Sequence, residues 1–182
     1  MTQEPVTFAD EVEVIQIPDG TPIMVPIGTG GWVMQVLGGN FTVRLETGHL
    51  VRVNGPDAAA IGQDIPKSPL HGLAPGDFSE ELVWDQLRTI YDPEIPVNIV
   101  ELGLIYTCEV AEDDASEGGK AVTITMTLTA PGCGMGQVLK DDVEYKVKTL
   151  PGVTRTDVEL TFDPPWSPEL MSEEAQLELG FF

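Results

Sequence analysis

The sequence is poor in the residues that most often carry metal or covalent chemistry. Its 182 residues include two cysteines, Cys108 and Cys133, and two histidines, His49 and His71. Two cysteines are too few for a disulfide scaffold, and no CxxC, HExxH, GxGxxG or P-loop motif occurs. Structural zinc sites and most iron–sulfur clusters take four protein ligands, so this chain alone is not expected to complete either kind of site.

Positive charge is also scarce. Nine Lys and Arg residues oppose 30 Asp and Glu residues, which gives a formal net charge of −21. Nucleic-acid phosphates and anionic lipid surfaces are both bound by clusters of Lys and Arg. The composition therefore predicts no nucleic-acid partner and no membrane partner. It is typical of a solvated acidic surface, and it also suits partners with basic surfaces.

Long apolar segments are missing as well. No stretch approaches the roughly 20 apolar residues that a membrane-spanning helix needs. Residues 1–10 are acidic and have neither the basic nor the apolar region of a secretion signal. Hydrophobic residues make up 42% of the chain, which is enough to form a buried core. We therefore expect a cytoplasmic globular protein.

The first half of the sequence consists of short alternating segments separated by glycine-rich turns. We predict strands over residues 11–17, 22–27, 32–37, 41–45 and 50–53. One turn of helix over residues 58–61, capped by Asp57, is expected to follow. Short strands at this spacing favour a small β-rich domain over residues 1–72, either barrel-like or a curled sheet. None of its motifs carries chemistry, so the pattern indicates a docking or stabilising role.

A segment rich in proline and glycine separates the two halves. Residues 63–77 contain Pro66, Pro69 and Pro75, which interrupt both helical and strand periodicity. We place the domain boundary near residue 72. Residues 73–77 are then the end of the linker, and residues 78–182 form the second domain.

The second half alternates helical and strand periodicity. We predict a helix that begins after Ser79 and ends before Pro93, and a second helix with an apolar stripe from Met135 to Leu150. Strands are expected over residues 102–110, 121–130 and 153–162, the first two as an antiparallel hairpin, and a short helix over residues 168–177. In the second strand one face is predicted to carry four threonines and the other to carry Val122, Ile124, Met126 and Leu128. The order helix–strand–strand–helix–strand predicts an α+β layer domain with its helices on one face of the sheet.

Cys133 lies in the predicted turn between a strand and a helix. Gly132 and Gly134 flank it, so its sulfur has little steric cover. The unpaired N–H groups at the start of the helix favour a thiolate there, and a thiolate is a ligand for iron or for a cluster edge. The alternative is a small buried residue in a tight turn. Cys108 falls in phase with Leu104 and Val110, which favours a core thiol.

Three further residues are candidates for a functional role. Asp92 and Glu94 flank Pro93 at the end of a helix, where two carboxylates can hold a hard cation or act as acid and base. The alternative is a turn in which Asp92 accepts backbone N–H groups and Glu94 is solvated. Trp166 follows two prolines and is either an exposed partner contact or a packed side chain.

Two segments closely resemble a known family. Residues 91–106, YDPEIPVNIVELGLIY, are similar to the signature of the metal–sulfur cluster biosynthesis domain, which occurs in SufT and PaaD proteins. Residues 127–136, TLTAPGCGMG, resemble the SufT branch, as does the presence of a β-rich first half. The resemblance is strong over residues 78–170 and weak over the first half.

The resemblance implies an iron–sulfur cluster assembly-like α+β domain and an accessory, non-enzymatic role in the maturation of iron–sulfur proteins. It makes Cys133 the candidate ligand for transiently held iron or a cluster, supported by Asp92, Glu94, Gly132 and Gly134. The remaining ligands then come from a partner, a second copy or a small thiol, since one chain offers one such thiolate. The implied partners are assembly proteins and client apoproteins, and a homo-oligomer is an option. A metal-free adaptor and a thiol-dependent enzyme are the alternative functions.

Overall fold

The computed structural model describes residues 4–66, 73–74 and 76–181. The chain divides into two compact units, residues 1–71 and 72–182. The predicted boundary at residue 72 lies outside the described residues, as do Pro69 and Pro75 of the predicted linker. Within the described ranges, no helix has both the length and the apolar character that crossing a bilayer requires.

The first unit is built around one six-stranded sheet. Its strands are β1 Glu4–Thr7, β2 Val12–Ile17, β3 Pro22–Val25, β4 Gly30–Leu37, β5 Asn40–Leu45 and β6 Leu50–Val53. They lie in the order β1-β4-β5-β6-β2-β3, and every neighbouring pair is antiparallel. Five of these strands match predicted segments, whereas β1 was not predicted.

Alternating side chains and a glycine turn explain this sheet. Val14, Val43 and Val51 point to one face and are fully buried there. Gly38 and Gly39 have φ of +58° and +82°, the left-handed backbone that a two-residue hairpin between β4 and β5 requires. Among the described strands, β1 and β3 each pair with a single neighbour, so the strand pairing does not close the sheet into a ring.

The helical turn after β6 also differs from its prediction. A 3₁₀ helix runs over Gly55–Ile61, and its N-terminal flanking residue is Asn54, whose side chain makes no capping hydrogen bond. Asp57 is therefore inside the helix and is not its cap. The helix starts earlier than expected because Pro56, with its fixed φ, is well suited to a first turn.

The second unit has the predicted order helix–strand–strand–helix–strand. Its elements are α1 Glu80–Arg88, β7 Ile105–Glu112, β8 Lys120–Met126, α2 Gly136–Lys148, β9 Val153–Leu160 and α3 Glu173–Leu179. Strand β8 is central, antiparallel to β7 and parallel to β9. Helix α2 provides the crossover that two parallel strands need, and it packs against β9 and α1. The unit is therefore a mixed α+β structure.

Local sequence signals explain the two longer helices. The Ser79 hydroxyl accepts the N–H of Leu82 at 3.3 Å, which confirms the predicted cap of α1. The apolar stripe of α2 is buried along its length, with Leu139, Val143 and Val147 at most 2% exposed. These side chains attach the helix to its own unit.

The end of the chain departs from the prediction at two places. Strand β9 stops at Leu160, so Phe162 lies beyond the sheet and is 42% exposed. The helix predicted over residues 168–177 is two separate elements, a 3₁₀ helix at Pro168–Leu170 and α3. Met171 has extended backbone between them, and the Ser172 hydroxyl caps α3 by accepting the N–H of Ala175 at 3.2 Å.

Candidate functional site

Cys133 lies in the turn that joins β8 to α2. Its N–H donates to the carbonyl of Ala130 at 3.4 Å, and its own carbonyl accepts the N–H of Gly136 at 3.0 Å. The cysteine is three residues before Gly136, the first residue of α2. Its carbonyl accepts one of the N–H groups that have no partner within the helix at the start of α2. Its side chain is partly exposed. Cys133 thus lies between a strand and a helix, as the sequence predicted.

Two glycines near Cys133 determine the conformation and packing of its turn in different ways. Gly132 has φ of +78° with open space where a Cβ would stand, so it supplies a backbone conformation that other residues rarely adopt. Gly136, the first residue of α2, lies directly against the side chain of Leu128. The start of the helix is thereby packed onto the residues that follow β8, which restricts the turn carrying the cysteine.

The protein ligands around Cys133 are too few for a closed metal site. Within the part of the chain that the structure describes, no three His, Cys, Asp or Glu side chains are grouped so that they could hold a metal ion. A sulfur in a turn is a suitable donor for iron, but one donor does not complete its coordination. The described residues therefore do not by themselves complete a coordination sphere for iron at Cys133.

Cys108 offers no second thiolate. It lies on β7 and is partly buried, and burial together with the negative charge of Glu80 raises the pKa of its thiol to about 11. At neutral pH this group is protonated, and a protonated thiol is a poor metal ligand and a poor nucleophile. Cys108 was predicted as a core thiol, whereas it is half-buried and lies outside the buried core of the described residues.

Asp92 organises the turn that follows α1. One carboxylate oxygen, Oδ1, accepts the N–H groups of Glu94 at 2.8 Å and Ile95 at 2.9 Å. Glu94 itself is exposed. This is the turn that the sequence allowed as the alternative to a cation or acid–base site. Burial raises the pKa of the Asp92 carboxyl, and the two backbone hydrogen bonds oppose that shift.

The two motif segments are joined by a backbone hydrogen bond. The N–H of Thr127, directly after β8, donates to the carbonyl of Leu104 at 2.8 Å. Thr127 is fully buried, and its hydroxyl has no hydrogen-bond partner among the described residues. Alternation along the strand predicted over residues 121–130 placed this threonine on the polar face. Strand β8 ends at Met126, directly before Thr127, so the alternation does not extend to Thr127 and the sequence contained no signal for its burial.

The polar group of Trp166 makes a hydrogen bond within its own unit. Its indole N–H donates to the carbonyl of Leu102 at 2.8 Å, and the ring is partly buried. The hydroxyl of Tyr106 donates to the carbonyl of Pro164 at 2.7 Å. These bonds fix the residues after β9 against the segment that carries the first motif. A contact of Trp166 with a partner remains a prediction.

Asp92→Asn should raise the free energy of unfolding at neutral pH. The amide oxygen still accepts the N–H groups of Glu94 and Ile95, while the cost of burying a charge disappears. Because the pKa of Asp92 is raised in the folded state, its protonated form favours folding at low pH, and that contribution is lost as pH rises through the folded pKa.

The gain from Asp92→Asn should therefore be present at pH 7 and vanish below about pH 4, where an unfolded aspartate is protonated as well. Urea denaturation of the variant and the wild type at both pH values measures it. Glu94→Gln is the matched control, because this exposed side chain should change stability by no more than about 0.5 kcal/mol. A loss of stability of Asp92→Asn at pH 7 would contradict the conclusion that burial of the Asp92 charge destabilises the folded protein.

Comparison with known proteins assigns the chain to a family. The sequence profile described as "Iron-sulfur cluster assembly protein" matches residues 80–160, which include both motifs. The "Fe-S protein maturation auxiliary factor" of Porphyromonas gingivalis is 50% identical over 103 residues, which cover 57% of this chain and 92% of that protein. YitW of Bacillus subtilis, with the same description, is 37% identical over 56% of this chain and 93% of its own length.

A third relative is the "Fe-S protein maturation auxiliary factor SufT" of Staphylococcus aureus. It is 35% identical over 91 residues, which cover 50% of this chain and 97% of that protein. Each of these relatives is matched over nearly its whole length, so the matched part of this chain corresponds to complete proteins. The chain therefore belongs to the iron–sulfur cluster assembly protein family.

Proposed function

We propose that this protein is an accessory factor in the maturation of iron–sulfur proteins, and that Cys133 is its working residue. Iron or an iron–sulfur cluster is its cargo, held transiently by the Cys133 thiolate. Assembly proteins, client apoproteins or a second copy of the chain supply the remaining ligands. The protein catalyses no bond chemistry of its own.

The position of Cys133 is the observation that carries the proposal. Cys133 is partly exposed in a short turn whose backbone is held by hydrogen bonds at both sides of the cysteine. The lack of a three-ligand group among the described residues argues for shared and reversible binding. A carrier has to release its cargo, and an incomplete ligand set on the carrier makes release easy. The names of the three relatives support the same role.

The same lack of ligands favours a second candidate, a metal-free adaptor. In this function the protein brings assembly machinery and client together, and the turn at Cys133 contacts a partner protein without binding metal. A thiol-dependent enzyme is the third candidate function. It requires a base near the sulfur, and no histidine stands close to Cys133 in the sequence.

Anaerobic reconstitution with iron and sulfide separates these functions. Wild-type protein should retain iron after desalting in the presence of a small thiol, and Cys133→Ser should lose most of it, because serine is a poor ligand for iron in this setting. Cys108→Ser is the matched control and should bind as much iron as the wild type, since Cys108 is a protonated, partly buried thiol.

Equal iron in Cys133→Ser and wild type, with both proteins folded by circular dichroism, would remove the carrier function and leave the adaptor. Turnover of a thiol-reactive substrate by the purified protein, lost in Cys133→Ser, would instead establish the enzyme. Size-exclusion chromatography of the iron-loaded protein shows whether the missing ligands come from a second copy.

A further inference from the structure

The last part of the chain carries charge of one sign only. After Arg155 no Lys or Arg occurs through residue 182, whereas seven Asp and Glu residues do. Three of the seven, Glu173, Glu174 and Glu178, are on α3 and are exposed. Positive charge on a protein surface that approaches this segment lowers the free energy of association, and negative charge raises it.

The segment is held firmly by its own unit. The N–H of Ser172 donates to the carbonyl of Glu101 at 2.9 Å, and Trp166 is bonded to Leu102 as described above. Met171 is 5% exposed and Ala175 is 2% exposed, so one side of α3 is packed. The helix therefore has a defined orientation and a defined outer side.

Two large apolar residues at α3 and just after it are more than half exposed. Leu177 is 67% exposed and Phe181 is 55% exposed. The helix ends in a Schellman motif: Gly180 has φ of +76°, and the N–H of Phe181 donates to the carbonyl of Gln176 at 2.9 Å. This bond holds Phe181 beside the last turn of α3, the turn to which Leu177 belongs.

We propose that Leu177 and Phe181, bordered by Glu173, Glu174 and Glu178, form a docking surface for a partner protein. The partner presents an apolar pocket bordered by Lys or Arg side chains. A rigid segment that displays an aromatic and an aliphatic side chain binds without paying to order itself, and buried apolar anchors contribute most of the affinity of protein interfaces. The acidic border selects the partner and speeds its approach.

The charge of the segment argues against a second copy of this chain as the occupant. Two copies that met symmetrically through this surface would place the same three glutamates against each other. Like charges facing across an interface cost free energy, and nothing basic on the segment offsets them. The docking surface consists only of residues of this segment, so binding there does not depend on whether Cys133 holds iron.

Site-specific photo-crosslinking in the producing cell tests the surface. The crosslinking residue p-benzoylphenylalanine replaces Leu177 in the full chain, and Ile27, which is 68% exposed, is the matched control position. We expect a crosslinked protein at position 177 that is absent at position 27. Mass spectrometry of the crosslinked peptide should place it in an apolar segment flanked by Lys or Arg.

The identified partner is then purified and titrated with wild-type protein and with the double variant Leu177→Ser, Phe181→Ser. The dissociation constant should rise about tenfold or more in the variant, and high salt should weaken the wild-type complex. Iron retained on reconstitution should be the same in both proteins, which distinguishes this surface from Cys133.

Three results would overturn the proposal. The first is no crosslink at position 177 above the level at position 27. The second is a crosslinked peptide that comes from this chain, which would make the surface an interface between copies. The third is a partner whose affinity is unchanged by the double substitution.

Discussion

Gly103→Ala should lower the free energy of unfolding of the second unit by about 3 kcal/mol. Gly103 lies in the first motif and has φ of +69°, a conformation that costs any L-residue with a side chain. A Cβ at this position would also collide with the backbone carbonyl of Leu170, whose carbon it would approach to 2.6 Å. Backbone cannot rotate away as a side chain can, so the segment around Leu170 has to shift.

Gly132→Ala separates the two contributions to that loss. Gly132 has φ of +78°, close to that of Gly103, but nothing lies within 4 Å of the position where its Cβ would stand. Only the conformational cost remains, and the loss should be about 1 kcal/mol. Urea denaturation followed by the NMR signals of the β8 amides measures both variants in the same unit. Equal losses would mean that the approach of Leu170 to Gly103 contributes nothing to stability.

Ile99→Ala should also destabilise the second unit by about 3 kcal/mol. Ile99 is fully buried, and truncation removes its apolar contacts and leaves a cavity. Its N–H donates to the carbonyl of Ile90 at 2.9 Å, and its carbonyl accepts the N–H of Leu104 at 3.0 Å. Ile99 thus lies in the middle of the first motif, which also contains Asp92 and Leu102, the hydrogen-bond partner of Trp166.

Ile27→Ala is the matched control for this truncation. The same atoms are removed, but Ile27 is 68% exposed, so the change should stay within about 0.5 kcal/mol. Thermal and urea denaturation of both variants provide the comparison. A small effect of Ile99→Ala would show that the motif segment relaxes around the cavity, and the turn at Asp92 would then be less constrained than its hydrogen bonds indicate.

Elements with a clear local signal were predictable from the sequence. The stripe from Met135 to Leu150 has helical spacing throughout, and α2 buries it as expected. Ser79 caps α1 because a hydroxyl just before an acidic first turn satisfies a helix N–H within three residues. The alternation at Val122, Ile124 and Met126 likewise marked the buried face of β8.

Elements whose position depends on distant residues were missed or misjudged. Strand β1 is four residues long and exists because it pairs with β4, with Glu4 opposite Val33. Phe162 continues the alternation of β9, but the parallel strand β8 ends at Met126, and β9 pairs with it no further than Leu160. Periodicity within a segment contains no information about where its partner strand stops.

The sequence by itself determined the order of helices and strands in the second unit, the excess of negative charge, and the place of Cys133 between a strand and a helix. It also placed the chain in its family, because both motifs are continuous in sequence. Only the tertiary structure decided that Asp92 closes a turn, that Thr127 is buried, and that Leu177 and Phe181 face solvent. Whether a side chain is buried or exposed depends on hydrogen bonds and packing between residues far apart in the chain, such as Ser172 with Glu101.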